Sequence, residues 1–273
     1  MSVVPLDRGG REGSGRADPD TLDSLRRKMA VMSGMPDRRS VQPGPAEVFA
    51  LPDAIADLLP RSGIGKDGSS GQHGIARGTV VGYRGARSLL MAMIATLTQA
   101  GHQVGIVGMP RLNLLAAVEM GADLRRIAVV PDPGIDPVEV AAVLLDGMDV
   151  VVVGLRGTTV APSRSRVVGG RARQQGSSLV VVDGDWPGAH TRMDARVIGY
   201  RHGPEAADLA GAHRGYGRVG GMRLQIVVGG RDHRRRSAEI DITAGGFGDD
   251  AVHIRRVGPS VSVAADAPGA VAN

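Results

Sequence analysis

The chain has 273 residues, 42% of them hydrophobic, which is enough for one globular domain with a real core and appended segments. It contains no cysteine, which excludes disulfide bonds and thiolate metal sites, and its seven histidines show no metal-ligand spacing. The formal net charge of +5 either favours a polyanionic partner such as DNA or simply reflects an arginine-rich composition. The sequence shows no signal peptide and no apolar run long enough to span a membrane, so we expect a cytoplasmic protein without a membrane partner.

The first 46 residues contain one helical signal. Residues 1–17 are polar and rich in Gly and Arg, and we predict that they are disordered. Residues 18–46 are predicted to form a helix and a linker, with four apolar residues on one side of the helix: Leu22, Leu25, Met29 and Met32. We predict that this stripe contacts a partner protein or a second copy of the chain. The alternative is that it packs on the core of its own chain.

Residues 47–244 carry the pattern of an α/β domain. The segment 49–60, FALPDAIADLLP, predicts a short helix, and a Gly/Ser-rich insertion follows it. From residue 79 strands alternate with helices, and several strands are apolar throughout, as in DVVVVGL and SSLVVVDGD. This pattern predicts a mostly parallel sheet flanked by helices on both faces.

The last part of the chain changes in character. The segments ARVIGY, GMRLQIVVGG and SAEIDIT alternate between apolar and polar residues, and they predict antiparallel strands at one edge of the sheet. Residues 245–273 are predicted to form a flexible tail.

The first strand and helix of the domain are joined by a degenerate phosphate-binding loop. A working loop reads G-x-x-x-x-G-K-[ST], in which backbone N–H groups and the lysine hold phosphates and the hydroxyl binds Mg²⁺. This chain keeps Gly85 and Ser88, but Arg87 stands near the lysine position, and an arginine is not equivalent to a lysine there. A helix N-terminus alone still attracts an anion, so weak binding is compatible with the sequence whereas catalysis is not expected.

Two other positions that ATP hydrolysis needs are also altered. Gly154 follows the strand where an aspartate holds Mg²⁺ in such enzymes, and Met109 with Pro110 stands where the catalytic glutamate is expected. Asp183 and Asp185 follow another strand, and we favour a turn or helix-cap role for them over Mg²⁺ binding. We therefore predict no catalytic residue, no metal site and no cofactor.

Other residues are candidates for partner surfaces. Trp186 either anchors a partner or packs at the end of a strand, and we favour packing. Two groups of arginines are candidate DNA contacts, with an ordinary solvated face as the alternative. The first group is Arg164, Arg166, Arg171 and Arg173, and the second is Arg231, Arg234, Arg235 and Arg236.

The order of these features from about Val48 to Thr243 resembles the RecA core. Residues 22–200 are more specifically similar to the ImuA-prime family, the actinobacterial and mycobacterial RecA-like accessory proteins of the damage-induced mutasome. The segments that carry the similarity are LRRKMAVMSG, GARSLL, VGIVGMPRLNLLAAVEMGADL, RIAVVPDPGIDPVEVAAVLLDGMDVVVVGL and DWPGA.

This resemblance implies a RecA-like fold and a non-catalytic adaptor in translesion synthesis. The implied partners are an ImuB-type inactive homologue of Y-family polymerases and, indirectly, an error-prone DnaE-type polymerase. DNA and a second copy of the chain are further candidate partners, and the implied location is the nucleoid. Two alternatives remain open, a SulA-like inhibitor of cell division and a weak DNA-dependent ATPase of RecA type.

Overall fold

The protein is described by a computed structural model that covers residues 48–62, 72–202, 219–231, 234–244 and 252–262. All of these residues fall within one compact unit. The predicted disordered segment 1–17 and the predicted helix and linker in residues 18–46 lie outside the described residues.

In the described ranges, the first strands are short and lie outside the central sheet. The longer strands that follow form this sheet. The strands are β1 (Val48–Phe49), β2 (Arg61–Ser62), β3 (Gln72–His73), β4 (Ile75–Ala76), β5 (Val80–Gly85), β6 (Val104–Val107), β7 (Ile127–Val130), β8 (Val150–Gly154), β9 (Ser178–Val182), β10 (Thr191–His202), β11 (Val219–Gly230), β12 (Arg236–Ala244) and β13 (Val252–Ser262). The α-helices are α1 (Asp53–Ala56), α2 (Arg87–Gln99), α3 (Leu114–Glu119), α4 (Pro137–Leu144) and α5 (Pro162–Gln175).

Nine of these strands form one mixed sheet in the order β13-β12-β11-β10-β5-β9-β8-β6-β7. All neighbours from β7 to β10 are parallel, and the neighbours from β10 to β13 are antiparallel. The prediction of an α/β fold with a mostly parallel sheet and antiparallel strands at one edge is therefore confirmed.

The central strands are apolar throughout because both faces of the sheet are covered. On β8, Val150 and Val152 pack into the core beneath α2 and α3, whereas Val151 and Val153 pack into the core beneath α4 and α5. Successive side chains of a strand point to opposite faces, so a strand buried on both sides needs an unbroken apolar run. The carboxyl ends of these parallel strands consequently meet at one edge of a rigid sheet.

Local sequence signals set the boundaries of the helices on the second face. The Asp136 carboxylate accepts hydrogen bonds from the N–H groups of Val138 and Glu139 at 3.1 Å, and Pro137 occupies the first helical turn of α4. Helix α5 ends at Gly176, which has a left-handed φ of 64°. The prediction that a helix starts from Asp136 and Pro137 is confirmed.

The predicted helix over residues 49–60 is mostly wrong. Phe49 belongs to β1 and pairs with Ile75 of β4, and α1 has only 4 residues. Pro52, just before α1, has the extended φ and ψ of −50° and 132°, so the helix cannot begin earlier. The apolar residues of this segment are nevertheless buried, as predicted from their character, and Ile55 and Leu58 are fully enclosed.

The assignment of residues 245–273 to a flexible tail is corrected by β13. This strand pairs with β12 over most of its length, and its Val252 and Ile254 pack against the core. The next inward residue is Arg256, which donates hydrogen bonds to the carboxylate of Asp57 and the carbonyl oxygen of Ala54 beside α1. Because an arginine takes an inward position, the strand lacks the alternation by which the sequence could have revealed it. Residues 245–251 and 263–273 lie outside the described ranges.

Candidate functional site

A cleft of 480 Å³ opens at the carboxyl ends of four parallel strands, β5, β9, β8 and β6. It is lined by Arg87, residues 108–112, Gly154, Arg156, Val182 and Asp183. The chain leaves β5 through α2 on one face and returns to β8 and β9 through α4 and α5 on the other face. Ligands of open α/β sheets bind at such crevices, where the direction of winding changes.

The connection from β5 to α2 consists of one residue, Ala86. Gly85 ends the strand with a φ of 99°, and a Cβ atom at this position would overlap the carbonyl oxygen of Ala195 on β10. The N–H of Ala86 donates to that same oxygen at 2.8 Å. A phosphate-binding loop needs several residues between strand and helix to wrap the phosphates, and this junction of one residue cannot form such a loop.

The start of α2 is further occupied by Tyr83, which is 1% exposed. Its hydroxyl donates a hydrogen bond to the carbonyl oxygen of Ala86 and lies close to the N–H of Leu90. Burial raises the pKa of Tyr83 well above its usual value, so the phenol stays neutral at any physiological pH. The side chain of Tyr83 therefore occupies the space at the N-terminus of α2.

Gly154 and Met109 stand at the two positions where ATP hydrolysis would need acidic groups, and they lie next to each other at the floor of the cleft. A Cβ atom on Gly154 would lie 2.8 Å from Cγ of Met109 and 3.0 Å from the carbonyl oxygen of Gly108. Met109 is itself only 8% exposed and belongs to the core. The space that a metal-binding carboxylate would need at Gly154 is thus filled by a thioether side chain.

The two aspartates after β9 are each paired with an arginine. Asp183 lies 2.5 Å from Nη2 of Arg87, and Asp185 lies 3.4 Å from Nη1 of Arg192. Asp183 has a left-handed φ of 49°, and its N–H donates to the carbonyl oxygen of Tyr83 at 3.0 Å. Neither caps a helix: Asp183 lies in the bend that follows the strand, and Asp185 forms an isolated parallel β-bridge with Thr159. Among the described residues no group of three or more His, Asp or Glu side chains could hold a metal ion.

Of the three residues of the degenerate loop singled out from the sequence, Arg87 lines the cleft, whereas Gly85 and Ser88 do not contribute to the lining. Two further arginines, Arg111 and Arg156, were not identified from the sequence. Both are exposed, and neither has a hydrogen-bond or ion-pair partner in the part of the chain that the structure describes. Their common signal is that each follows the end of a parallel strand by a few residues, at the edge where ligands bind.

One comparison decides the family of the chain. The uncharacterised protein Rv3395c of Mycobacterium tuberculosis is 49% identical over 212 residues, which are 78% of this chain and 93% of that protein. The chain belongs to the Rv3395c family. Residues 69–188 also match the family described as the MT3502 N-terminal domain. That segment contains every residue that lines the cleft.

In this member of the Rv3395c family, the two groups of arginines predicted to bind DNA differ in their surroundings. Arg164 on α5 pairs with Asp136 and lies 3.5 Å from Glu139, while Arg171 lies 2.5 Å from Asp146. The N–H of the Arg166 side chain donates to the carbonyl oxygen of Pro162 at 3.1 Å. Part of the first group therefore serves ion pairs within the fold.

The second group does not extend the surface of α5. Arg236 donates to the carbonyl oxygen of Asp57 at 2.5 Å, on the face of the sheet opposite α5, and Arg234 and Arg235 are exposed in the connection before β12. The structure places Arg173 in the last turn of α5 and Arg231 just after β11. Arg236 is thus separated by the sheet from the arginines of α5.

The remaining sequence candidates have simpler outcomes. Trp186 is 2% exposed and packs in the core beneath α4 and α5, so of the two alternatives the structure supports packing. The predicted stripe of Leu22, Leu25, Met29 and Met32 lies outside the described residues. No helix among the described parts of this Rv3395c relative is long and apolar enough to cross a membrane.

Proposed function

We propose that the chain is a non-catalytic RecA-like adaptor of a damage-induced mutasome, in the manner of the ImuA-prime family. In this function it supports error-prone translesion DNA synthesis at the nucleoid through an ImuB-type partner and, indirectly, a DnaE-type polymerase. The observation that carries the proposal is the closed nucleotide site, in which Ala86 alone joins β5 to α2 and Met109 fills the space next to Gly154.

An adaptor role follows from what the fold retains and what it lacks. The central parallel strands β6, β8 and β9 are buried on both faces, so they form a stiff platform for binding surfaces. Phosphoryl transfer depends on positioned backbone N–H groups, a lysine and a bound Mg²⁺, and the junction at Ala86 offers neither the loop nor the carboxylate. The similarity to the ImuA-prime family in residues 22–200 supplies the kind of partner.

A weak DNA-dependent ATPase would need Arg87 to replace lysine and Asp183 or Asp185 to hold Mg²⁺. Both aspartates are already paired with arginines, and Arg87 is the partner of Asp183. The test is equilibrium binding of Mg-ATP to the purified chain, followed by turnover with and without single-stranded DNA. We expect no turnover above background, and turnover that disappears in Arg87→Ala would refute the adaptor proposal.

The partner is tested through the predicted N-terminal stripe. Leu25→Glu with Met29→Glu places two charges on the stripe, whereas Ser24→Glu with Val31→Glu places two charges on the opposite side of the same predicted helix. We expect the first pair to abolish binding to a purified ImuB-type protein and the second pair to leave it unchanged, with the same circular dichroism spectrum for both.

Equal loss of binding in both pairs would mean that the stripe is not the contact. A chain that binds the cell-division GTPase, and no ImuB-type protein, would support the SulA-like alternative instead. Induced mutagenesis in cells that lack the chain provides the functional readout, since only the Ser24→Glu with Val31→Glu variant should restore it.

A further inference from the structure

The cleft at the carboxyl ends of the sheet has an unbalanced positive charge. Arg87, Arg111 and Arg156 line it together with a single carboxylate, Asp183, which is already paired with Arg87. Arg111 and Arg156 are left without an ionic partner in the described ranges. Like charges that share a cleft repel each other until an anion enters, so this lining is suited to an anionic ligand.

The backbone at Arg156 supports a binding role for its side chain. Leu155 and Thr158 close a turn through a hydrogen bond of 2.9 Å, and both central residues have positive φ, 51° at Arg156 and 87° at Gly157. Glycine, asparagine and aspartate are favoured at such positions, and an arginine there is strained. Strained residues of this kind cluster at ligand sites, where the strain holds a side chain in position.

The hydrogen-bond donors of the cleft indicate which anionic group it binds. Proteins bind the phosphates of nucleotides mainly through a cradle of backbone N–H groups, and here the N–H of Ala86 is taken by Ala195 and no loop follows β5. A carboxylate needs no such cradle, since the guanidinium fork of an arginine side chain donates two parallel hydrogen bonds to its two oxygens. The excess of two positive charges would be balanced by two carboxylates.

The cleft also offers apolar surface beside the arginines. Pro110 is exposed and Leu112 is partly buried against the core, and both lie in the connection that carries Arg111. We infer that the cleft binds an acidic peptide segment of a protein partner, whose carboxylates pair with Arg111 and Arg156 while an apolar side chain packs on Leu112. This inference rests on the proposed function and deepens it, because it names the chemistry of one docking site of the adaptor.

The probe is a short fluorescein-labelled peptide of alternating aspartate and leucine, compared with a peptide in which every aspartate is asparagine. Anisotropy titrations with the purified full chain should show clear binding of the aspartate peptide and much weaker binding of the asparagine peptide. Because the measurement needs no ImuB-type protein, its result is independent of whether that partner is correct.

Variants of the chain then locate the site. Arg111→Ser and Arg156→Ser should each weaken the binding of the aspartate peptide by about tenfold. This is the effect of losing one charge-assisted hydrogen-bonding partner. Asp183→Asn should strengthen binding, since it removes the negative charge of the lining and releases Arg87 from its ion pair. Arg125→Ser is the matched control, because Arg125 is 90% exposed and lies outside the cleft.

Three results would overturn the inference. The first is equal binding of the two peptides, and the second is an equal loss in Arg125→Ser and Arg111→Ser, which would indicate unspecific attraction by the net charge. The third is displacement of the peptide by pyrophosphate at concentrations below the dissociation constant of the peptide, which would identify phosphate as the ligand. Retained binding of the ImuB-type protein in any of these cases would leave the adaptor proposal standing.

Discussion

Cγ of Met109 lies 2.8 Å from the position that a Cβ atom on Gly154 would occupy. The side chain of one residue therefore fills the place where the other would need a carboxylate. Met109 is 8% exposed and packs in the core, so turning its side chain away would remove packing contacts. The packing of the sheet thus closes the space beside Gly154.

Gly154→Asp is therefore expected to destabilise the chain without creating a Mg²⁺ site. The new side chain would collide with Met109 and with the carbonyl oxygen of Gly108, and a carboxylate so close to that oxygen would also be repelled by it. We expect a loss of about 3 kcal/mol in the free energy of unfolding, measured by urea denaturation.

The matched control for Gly154→Asp is Gly170→Ala, in α5. A Cβ atom at Gly170 meets no atom within 4 Å, so alanine should increase the free energy of unfolding by about 0.5–1 kcal/mol. A Gly154→Asp variant of wild-type stability that gains affinity for Mg²⁺ would show that the site can be reopened, against the closed geometry described above.

Gly85→Ala should separate β10 from β5. The added methyl group would overlap the carbonyl oxygen of Ala195, and the φ of 99° is unfavourable for alanine. We expect a loss of at least about 3 kcal/mol in the free energy of unfolding, or no folded protein. Gly82→Ala on the same strand is the control, since its nearest neighbour would be 3.7 Å away and its expected effect is small. Similar losses in both variants would contradict the assigned close approach.

Arg156→Gly should make the chain more stable. Glycine adopts the φ of 51° without strain, so we expect a gain of about 1 kcal/mol in thermal or urea unfolding. Arg111→Gly is the control, because Arg111 has no positive φ and glycine there should lower the stability slightly. If Arg156→Gly is more stable and binds the peptide more weakly, Arg156 contributes to ligand binding at the expense of stability. A loss of stability would mean that its backbone is not strained.

A buried ion pair on the antiparallel side predicts a dependence of stability on pH. Asp241 is 2% exposed and accepts hydrogen bonds from Arg223 at 2.8 and 3.2 Å, with Arg201 at 3.3 Å. The hydrogen bonds from Arg223 lower the pKa of Asp241 below its ordinary value of 3.8, more than its burial raises it. A carboxyl group whose pKa is lower in the folded state stabilises the fold above its unfolded pKa, and this contribution is lost as the pH falls.

Arg223→Met should therefore lower the free energy of unfolding by about 2 kcal/mol at neutral pH, since it leaves the carboxylate of Asp241 buried with fewer donors. The difference from wild type should shrink as the pH falls below about 4, where the carboxyl group becomes protonated in both proteins. Arg255→Met removes the same charge from the neighbouring strand and should have a much smaller effect. A difference that stays constant with pH would rule out Asp241 as its origin.

The sequence predicted features that depend on local chemistry. The α4 start at Asp136 follows from a side chain that caps its own helix, and the double-sided burial of β8 follows from its unbroken run of valines. Strand β13 escaped notice because its inward Arg256 satisfies Asp57, a residue far away in the chain. Arg111 and Arg156 were missed for a similar reason, since only the assembled sheet brings the two connections to one edge.

The contact of Arg256 with Ala54 spans 202 residues of the chain. During synthesis, α1 leaves the ribosome long before β13 exists. The hydrogen bonds between α1 and Arg256 therefore form only after β13 has been made. Contacts of such long sequence separation slow folding, because the loop between them must close first. The sheet is accordingly completed only after β13 has been made, and a ribosome that stalls before residue 252 would present an incomplete sheet, with the edge of β12 open to chaperones or to other chains.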